Sequence, residues 1–480
     1  MSGNGVSIQL MDEIYLKMRE NMDEKMRISV NFDTVKKEFL YGGTIPSVVY
    51  YISGFGNNQL IERLMSYMLQ NKIEEITAQN RERILKTLLP YAVFRMAENM
   101  DDAMFSVYSG NAVILIQGID RYIIADTRSY PARGIKEPDK DRVLRGSREG
   151  FVEALLTNSA LIRRRIRDPR LIFYRLSVGD STSTDILICY MEHLADQKYV
   201  DNLKNKIAEL KVSGLNMGQE SLSELLVGKS WYNPFPKIRY TERPDAAAAM
   251  LMEGSVLILC DNDSSAMILP TSIFDFLQDT DDFYFPPMIG GYLKIVRNAV
   301  FIASLMLTPI WYTLQQMPHL LPPSLDFLLY EGESFLPLLL QLLLFEFAVD
   351  GLKLASLNTP DTLSNSLSVI SALILGDLAI SVGWLSEQIL LYMAFVAIAG
   401  FTQPSYELGY AFKFMRIITL VLISFLSFWG LLLGTALTLI LIATNRSISG
   451  SRGYLYPLIP FNLSALFRLF FRAQLKGKNC

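Results

Sequence analysis

Apolar and polar positions follow two different grammars along this chain. Over residues 8–26 apolar side chains recur at helical spacing within a heavily charged stretch, which leads into apolar runs around Phe32 and over 48–52. The Gly54-Phe55-Gly56 breaker precedes a helical run over 58–69. Residues 104–108, 113–116 and 122–125 read as short strands, the last two joined by a turn at Gly118-Ile119-Asp120. Helix is expected again over 149–166. Residues 254–269 (GSVLILCDNDSSAMIL) repeat the plan of 110–124 (GNAVILIQGIDRYII): a glycine, a strand, a polar turn, a second strand. This echo points to an N-terminal half of two α/β subdomains that each carry a hairpin. Their expected bounds are 1–130 and 149–291, with the Pro-, Gly- and charge-rich segment 131–148 as linker.

From Tyr292 the pattern becomes that of a bilayer protein. Residues 298–317 carry no charge over about 20 positions, enough to cross a hydrocarbon core of about 30 Å. Lys294 and Arg297 precede this run, while 318–334 holds Asp326, Glu331 and Glu333 and no base, so the first span is expected to run outward from the cytoplasm. Residues 335–357 return, 363–384 and 388–401 are two closely spaced apolar stretches, and 417–444 is read as one long charge-free span. An α-helical polytopic membrane domain of four to five segments is therefore expected over 292–444. The tail 445–480 has six Lys and Arg and no acid, which places it in the cytoplasm. Five segments do not return a chain to its starting side. One member of the 363–401 pair is therefore expected to be re-entrant, which requires protein or a water-filled cavity around it.

Composition agrees with this division. The chain has 480 residues, 50% hydrophobic and 19% charged, with a mean hydropathy of +0.24. From Tyr292 on, 11 Lys and Arg and 9 Asp and Glu lie among 189 residues, about 11% charged against about 25% before it. A net charge of -3 gives no basic footprint for nucleic acid. Cys189, Cys260 and Cys480 lie far apart, signalling neither a disulfide framework nor a zinc site. The first thirty residues lack the basic start and apolar core of a signal peptide, so the N-terminal half is expected to face the cytoplasm.

Candidate chemistry is sparse. His193 and His319 are the only histidines, and there is no phosphate loop, dinucleotide fingerprint or HExxH, so no catalytic residue, metal or cofactor is expected. Asp261 and Asp263 fit a turn that uses Asp and Asn for local backbone bonds better than a calcium loop. Arg163, Arg164, Arg165 and Arg167, with Arg142, Arg145 and Arg148 upstream, form either an anion-binding patch or a helix face paired with acids. Glu346, Asp350 and Lys353, spaced by four and three, share one helical face inside an apolar segment. They line a bundle interior or aqueous path, or they pair within the helix near its cytoplasmic end. Ser364, Ser368 and Ser371 likewise share a face suited to a polar pore or to close helix packing, and Asp377 lies deeper.

Several segments together resemble the A-subunit family of bacterial spore germination receptors, the GerA family. Gly146-Ser147-Arg148-Glu149-Gly150-Phe151 running through Asn158 into LIRRRIRDPRL is similar to the family's GPxEGF and LIRRRI segment, with Ser147 where Pro is usual. Pro234-Phe235-Pro236, then Thr241-Glu242-Arg243-Pro244-Asp245, then Glu253-Gly254 resemble its PFP and TERPD block. FTQPSYELGYAFKFMR, over 401–416, is nearer to a sporulation subgroup than to the nutrient receptor subunits. The resemblance implies a multi-pass protein of the spore inner membrane with a cytoplasmic α/β region. It implies a homo-oligomeric ring that conducts monovalent cations in germination, alongside other spore membrane germination proteins. Glu346, Asp350, Lys353, Ser364, Ser368, Ser371 and Asp377 are then the pore candidates. Glu242, Arg243, Pro244 and Asp245 are expected to form a structural joint. A non-conducting scaffold or signalling subunit is the alternative, and a secondary transporter is weakened by the lack of a repeat across the membrane segments.

Overall fold

The computed structural model describes residues 3–71, 76, 94–129, 147–227, 232–279, 285–330, 335–358, 376, 378–445, 448, 453–463 and 466–467. Two compact units emerge. The first comprises Met1–Gly228, Ile238–Pro270 and Ile448–Ser451; the second comprises Lys229–Lys237, Thr271–Ser447 and Arg452–Cys480.

Among the described residues the first unit holds two antiparallel five-stranded sheets. Its elements begin with α1 (Gly3–Lys25), β1 (Thr34–Tyr41), β2 (Ile45–Ile52), α2 (Asn58–Gln70), β3 (Phe94–Ala97), α3 (Met100–Tyr108), β4 (Ala112–Ile116) and β5 (Tyr122–Ala125). They continue with α4 (Leu155–Arg165), β6 (Leu171–Val178), β7 (Thr184–Met191), α5 (Gln197–Ala208), α6 (Gln219–Val227), β8 (Arg239–Thr241), α7 (Pro244–Met252), β9 (Val256–Cys260) and β10 (Ala266–Leu269). The strand orders are β1-β2-β4-β5-β3 and β6-β7-β9-β10-β8. Counted within each sheet these are the same order, and α3 and α7 occupy the same place between the third and fourth strands. The hairpins anticipated at 110–124 and 254–269 are β4–β5 and β9–β10, and they are fragments of this larger duplication.

Alternate residues of each strand serve opposite faces of the sheet. In the second sheet Ile186, Ile188 and Ile258 pack with Val200 and Leu203 of α5 on one face. Leu187, Cys189, Leu257 and Leu259 pack with Leu161 and Ile162 of α4 and Leu251 of α7 on the other. Both faces are covered, which is why the central strands read as unbroken apolar runs. The first sheet is covered likewise, by α1 and α3 on one face and α2 on the other. Helix α4 serves both sheets, since Ala160 joins the core of the first while its neighbours join that of the second.

Two local expectations are corrected. Residues 104–108 are the end of α3 rather than a strand, because the Asn99 side chain accepts a hydrogen bond from Asp102 N (2.9 Å) and starts a helix with Asp101 and Asp102 in its first turn. Helix α4 begins at Leu155 rather than near Glu149. The preceding loop is held open by Asn158, whose side chain accepts from Val152 N (2.8 Å) and donates back to Val152 O.

The second unit is helical: α8 (Pro287–Gln316), α9 (Leu338–Asn358), a single turn at Ala379–Ser381, α10 (Glu387–Phe401), α11 (Tyr406–Leu426) and α12 (Phe428–Thr444). Among the described residues α8 and α11 are long and apolar enough to cross a membrane, and α10 and α12 are shorter apolar helices. The run 417–444 is not one span. It breaks at Ser427, whose φ of 48° ends one helix and begins the next. A Cβ added at Gly430 would lie 2.3 Å from Leu422 O, and one at Gly434 would lie 2.5 Å from Thr419 Oγ1. Contacts that move outward on both sides of Ser427 in this way define an antiparallel hairpin whose helices touch through glycine.

Candidate functional site

The polar residues of α9 find their partners on α11. Glu346 and Asp350 are one turn apart on α9, and Lys413 and Arg416 are three residues apart on α11, so each pair presents one face. Arg416 donates from Nε to Glu346 Oε1 at 2.8 Å, and Nη2 reaches the same oxygen. Its Nη1 donates to Ser304 O of α8 at 2.6 Å. Lys413 Nζ lies 3.0 Å from Glu346 Oε2 and 2.6 Å from Asp350 Oδ1, and it donates to Glu346 O at 3.0 Å. Glu346 and Arg416 are only 3% and 4% exposed, so both charges are removed from solvent and satisfied by each other. Three helices are tied together at this point.

Lys353 stands apart from this network. Its Nζ faces the rings of Phe401 and Tyr410, 5.0 and 5.5 Å from their centroids, and so does not form the pair along α9 that its spacing allowed. Lys413 and Arg416 are the members that sequence reasoning missed. Their signal was two bases inside an otherwise apolar helix, but the partner lies on another helix and spacing along one segment cannot find it. Ser364, Ser368, Ser371 and Asp377 lie outside the described residues.

The motif segments converge in the same way. Arg243, 1% exposed, caps the start of α7 and donates from Nε and Nη2 to Asp245 Oδ1 and Oδ2 at 3.1 and 2.6 Å. Pro244 supplies the first helical position, where a missing N–H costs nothing. Glu242 O accepts from Phe151 N at 2.8 Å, so the TERPD block and the EGF loop share a backbone bond. The Asp261-Asn262-Asp263 turn bonds to the residues after the EGF loop and to the start of α6: Asp261 Oδ1 accepts from Leu155 N, Asn262 N donates to Glu153 O, and Asp263 Oδ2 accepts from Gln219 N. Within the arginine cluster three members pair with acids and Arg167 donates to Ser109 Oγ, while Arg142 and Arg145 lie outside the described residues. Arg164 and Arg165 both bind Glu149, and Arg163 is fully buried against Asp33. In the helical unit, Phe235 of the PFP block packs edge-on against Phe412 at 5.3 Å, and Asn233 Nδ2 donates to Leu441 O at 3.0 Å.

The family model for the Bacillus/Clostridium GerA spore germination protein matches residues 20–479. The chain belongs to the GerA family. It is 34% identical over 466 residues to the stage V sporulation protein AF of Bacillus subtilis, covering 97% of this chain and 92% of that one. It is 27% identical to the spore germination protein KA of the same species, covering 94% of this chain and 83% of the relative. The N-terminal domain of the A subunit of the Bacillus megaterium spore germinant receptor GerK3 aligns at 26% identity with a TM-score of 0.40, over 52% of this chain and 92% of that domain. Residues of the motif segments fall on the contacts just described. Phe151, Arg163, Arg243 and Asp245 build the α/β unit, and Phe235, Phe412 and Arg416 build the helical one.

Proposed function

We propose that this GerA-family chain is a membrane subunit of an oligomeric channel that releases monovalent cations when a spore germinates. The observation that carries the reading is the set of ion-paired side chains in apolar helices, together with the family. Charges at such depth are retained where they assemble a bundle or serve an ion path. In this reading the ring is a homo-oligomer in the spore inner membrane, working with other germination proteins. Glu346, Asp350 and Lys353 organise α9 beside the pore, while Ser364, Ser368, Ser371 and Asp377 line it. Glu242, Arg243, Pro244 and Asp245 act as a rigid joint of the α/β region, which has no catalytic part.

The break at Ser427 supports a multi-pass topology. It divides 417–444 into two apolar helices, and six segments, counting 363–384, most of which lies outside the described residues, return the basic tail to the side of the N-terminal half. Both ends then face the spore core. The test is potassium release from liposomes holding the purified chain, alone and with a co-purified membrane partner. Release that changes with Ser368→Ala or Asp377→Asn is expected, and a stable oligomer that releases nothing in either condition rejects conduction. One observation favours a non-conducting scaffold: Glu346 and Arg416 satisfy each other, as packing groups do. That outcome would leave partner binding intact in the absence of release.

A further inference from the structure

Among the described residues, the charged side chains of this part of α9 and α11 carry one more positive charge than negative once Lys353 is counted beside the ion-pair network. Lys353, Lys413 and Arg416 face Glu346 and Asp350, and both carboxylates are already engaged by Lys413 and Arg416. Lys353 is within electrostatic reach of all four, yet among the described residues its Nζ makes no ion pair or hydrogen bond. Two aromatic rings offset only part of the loss of water around an ammonium. A counter-charge is called for.

The space for one lies directly in front of it. A cavity of about 40 Å3 is lined by Lys353, Gly400, Gln403, Lys413, Arg416 and the paired carboxylate of Glu346, among others, large enough for a guest somewhat bigger than a water molecule. Gly400 keeps this space open, since a Cβ there would meet a single neighbour, Lys353 Nζ, at 3.7 Å. Gln403 Oε1 is buried without a hydrogen-bond partner. The amide turned over would present N–H donors at that position, which suits an anion.

We propose that this cavity binds a small monovalent anion, a halide or the carboxylate head of a small acid, with Lys353 as its counter-charge. The occupant brings the cluster to neutrality and sits where α9, α10 and the start of α11 meet. Binding to the folded state alone raises stability by an amount that grows with the logarithm of ligand concentration above the dissociation constant. The inference goes beyond the conducting role and does not depend on it.

The test uses the full chain in lipid nanodiscs. Its thermal midpoint is titrated with sodium bromide and, separately, with sodium acetate, each balanced to constant ionic strength with sodium sulfate. A rise above the sulfate baseline that grows with the logarithm of anion concentration is expected, with bromide alone marking a halide site and acetate also acting marking a carboxylate site. Lys353→Met is expected to weaken the apparent affinity at least tenfold. Gly400→Val, which keeps every charge and fills the cavity, should do the same, and it decides the matter if Lys353→Met does not fold. A wild-type midpoint that tracks ionic strength alone, or variants that respond as wild type does, overturns the proposal. No ion flux is read, so either result leaves the channel reading standing or falling on its own test.

Discussion

Arg163 and Asp33, 130 positions apart, form a two-point ion pair at 2.8 and 3.1 Å, with side-chain exposures of 0% and 1%. The guanidinium lies between the rings of Tyr108 and Phe173, 5.0 and 4.7 Å from their centroids. Two of its three remaining hydrogens go to Asp168 O and Leu171 O, both at 3.0 Å. Tyr108 belongs to the first half of the duplication and Phe173 to the second, so one arginine of the LIRRRI segment ties the two sheets together.

Removing one partner strands a buried charge. Asp33→Asn is expected to lower the stability of the α/β unit by about 3 to 5 kcal/mol. Arg163→Lys should do nearly as much harm, because an ammonium cannot reproduce the fork or the stacking. Hydrogen exchange at β1 and β6 reads this directly. Protection unchanged in both variants would show that the pair is dispensable.

The hairpin of α11 and α12 makes a sharper steric prediction. Gly430→Ala places a methyl against the Leu422 backbone and is expected to destabilise the helical unit by about 1 to 3 kcal/mol. Gly351→Ala, where nothing lies within 4 Å of the added Cβ in mid-helix, should be neutral or stabilising by up to about 1 kcal/mol. Thermal melts of the two variants side by side separate close packing from simple helix propensity. Equal midpoints would mean that the hairpin contact is not tight.

What the residues revealed, and what they hid, follows from how far each signal reaches. Hairpins β4–β5 and β9–β10 were legible because turn residues and apolar runs are local. The duplication around them was not, since its outer strands share a topology and no spacing. Residues 104–108 looked like a strand because α3 is buried almost all round, which erases helical periodicity, although Asn99 and the acids after it marked a start. Hydropathy joined 417–444 into one span because Ser427 contributes a dihedral angle and no polarity to speak of. The acidic face of α9 was visible at once. Its partners were not, because Lys413 and Arg416 meet it only after the chain has turned back.

The cluster in the helices allows a double-mutant test of what it is for. Glu346→Leu alone leaves Lys413 and Arg416 without their shared carboxylate and is expected to cost about 3 to 5 kcal/mol. Arg416→Met alone should be milder, because Glu346 keeps Lys413. Combining the two is expected to recover part of the loss, since a hydrophobic pair of similar volume replaces a buried ion pair at little net cost. The coupling energy from melts of all four proteins measures this. Strict additivity would show that the two side chains do not act as a pair.

Acid should weaken the α/β unit through a few identifiable carboxylates. Arg170 donates to Asp168 at 2.6 to 3.2 Å and holds its carboxyl below the ordinary range, and Arg95 does the same for Asp102 and Arg128 for Asp126. A depressed folded pKa means that the unfolded chain takes up protons first as pH falls. The stability from these groups is therefore fully present above the usual aspartate value of about 3.9 and is lost as pH drops through the folded values. Asp263 runs the other way, because burial raises its carboxyl and favours the folded state as it protonates. Arg170→Ala should thus flatten the fall of stability below pH 4, with fewer protons taken up on unfolding. Asp263→Asn should steepen the net fall by removing the opposing contribution. Denaturation of the full chain between pH 2 and 6 measures both slopes, and slopes unchanged by either substitution would remove these carboxylates from the account of acid lability.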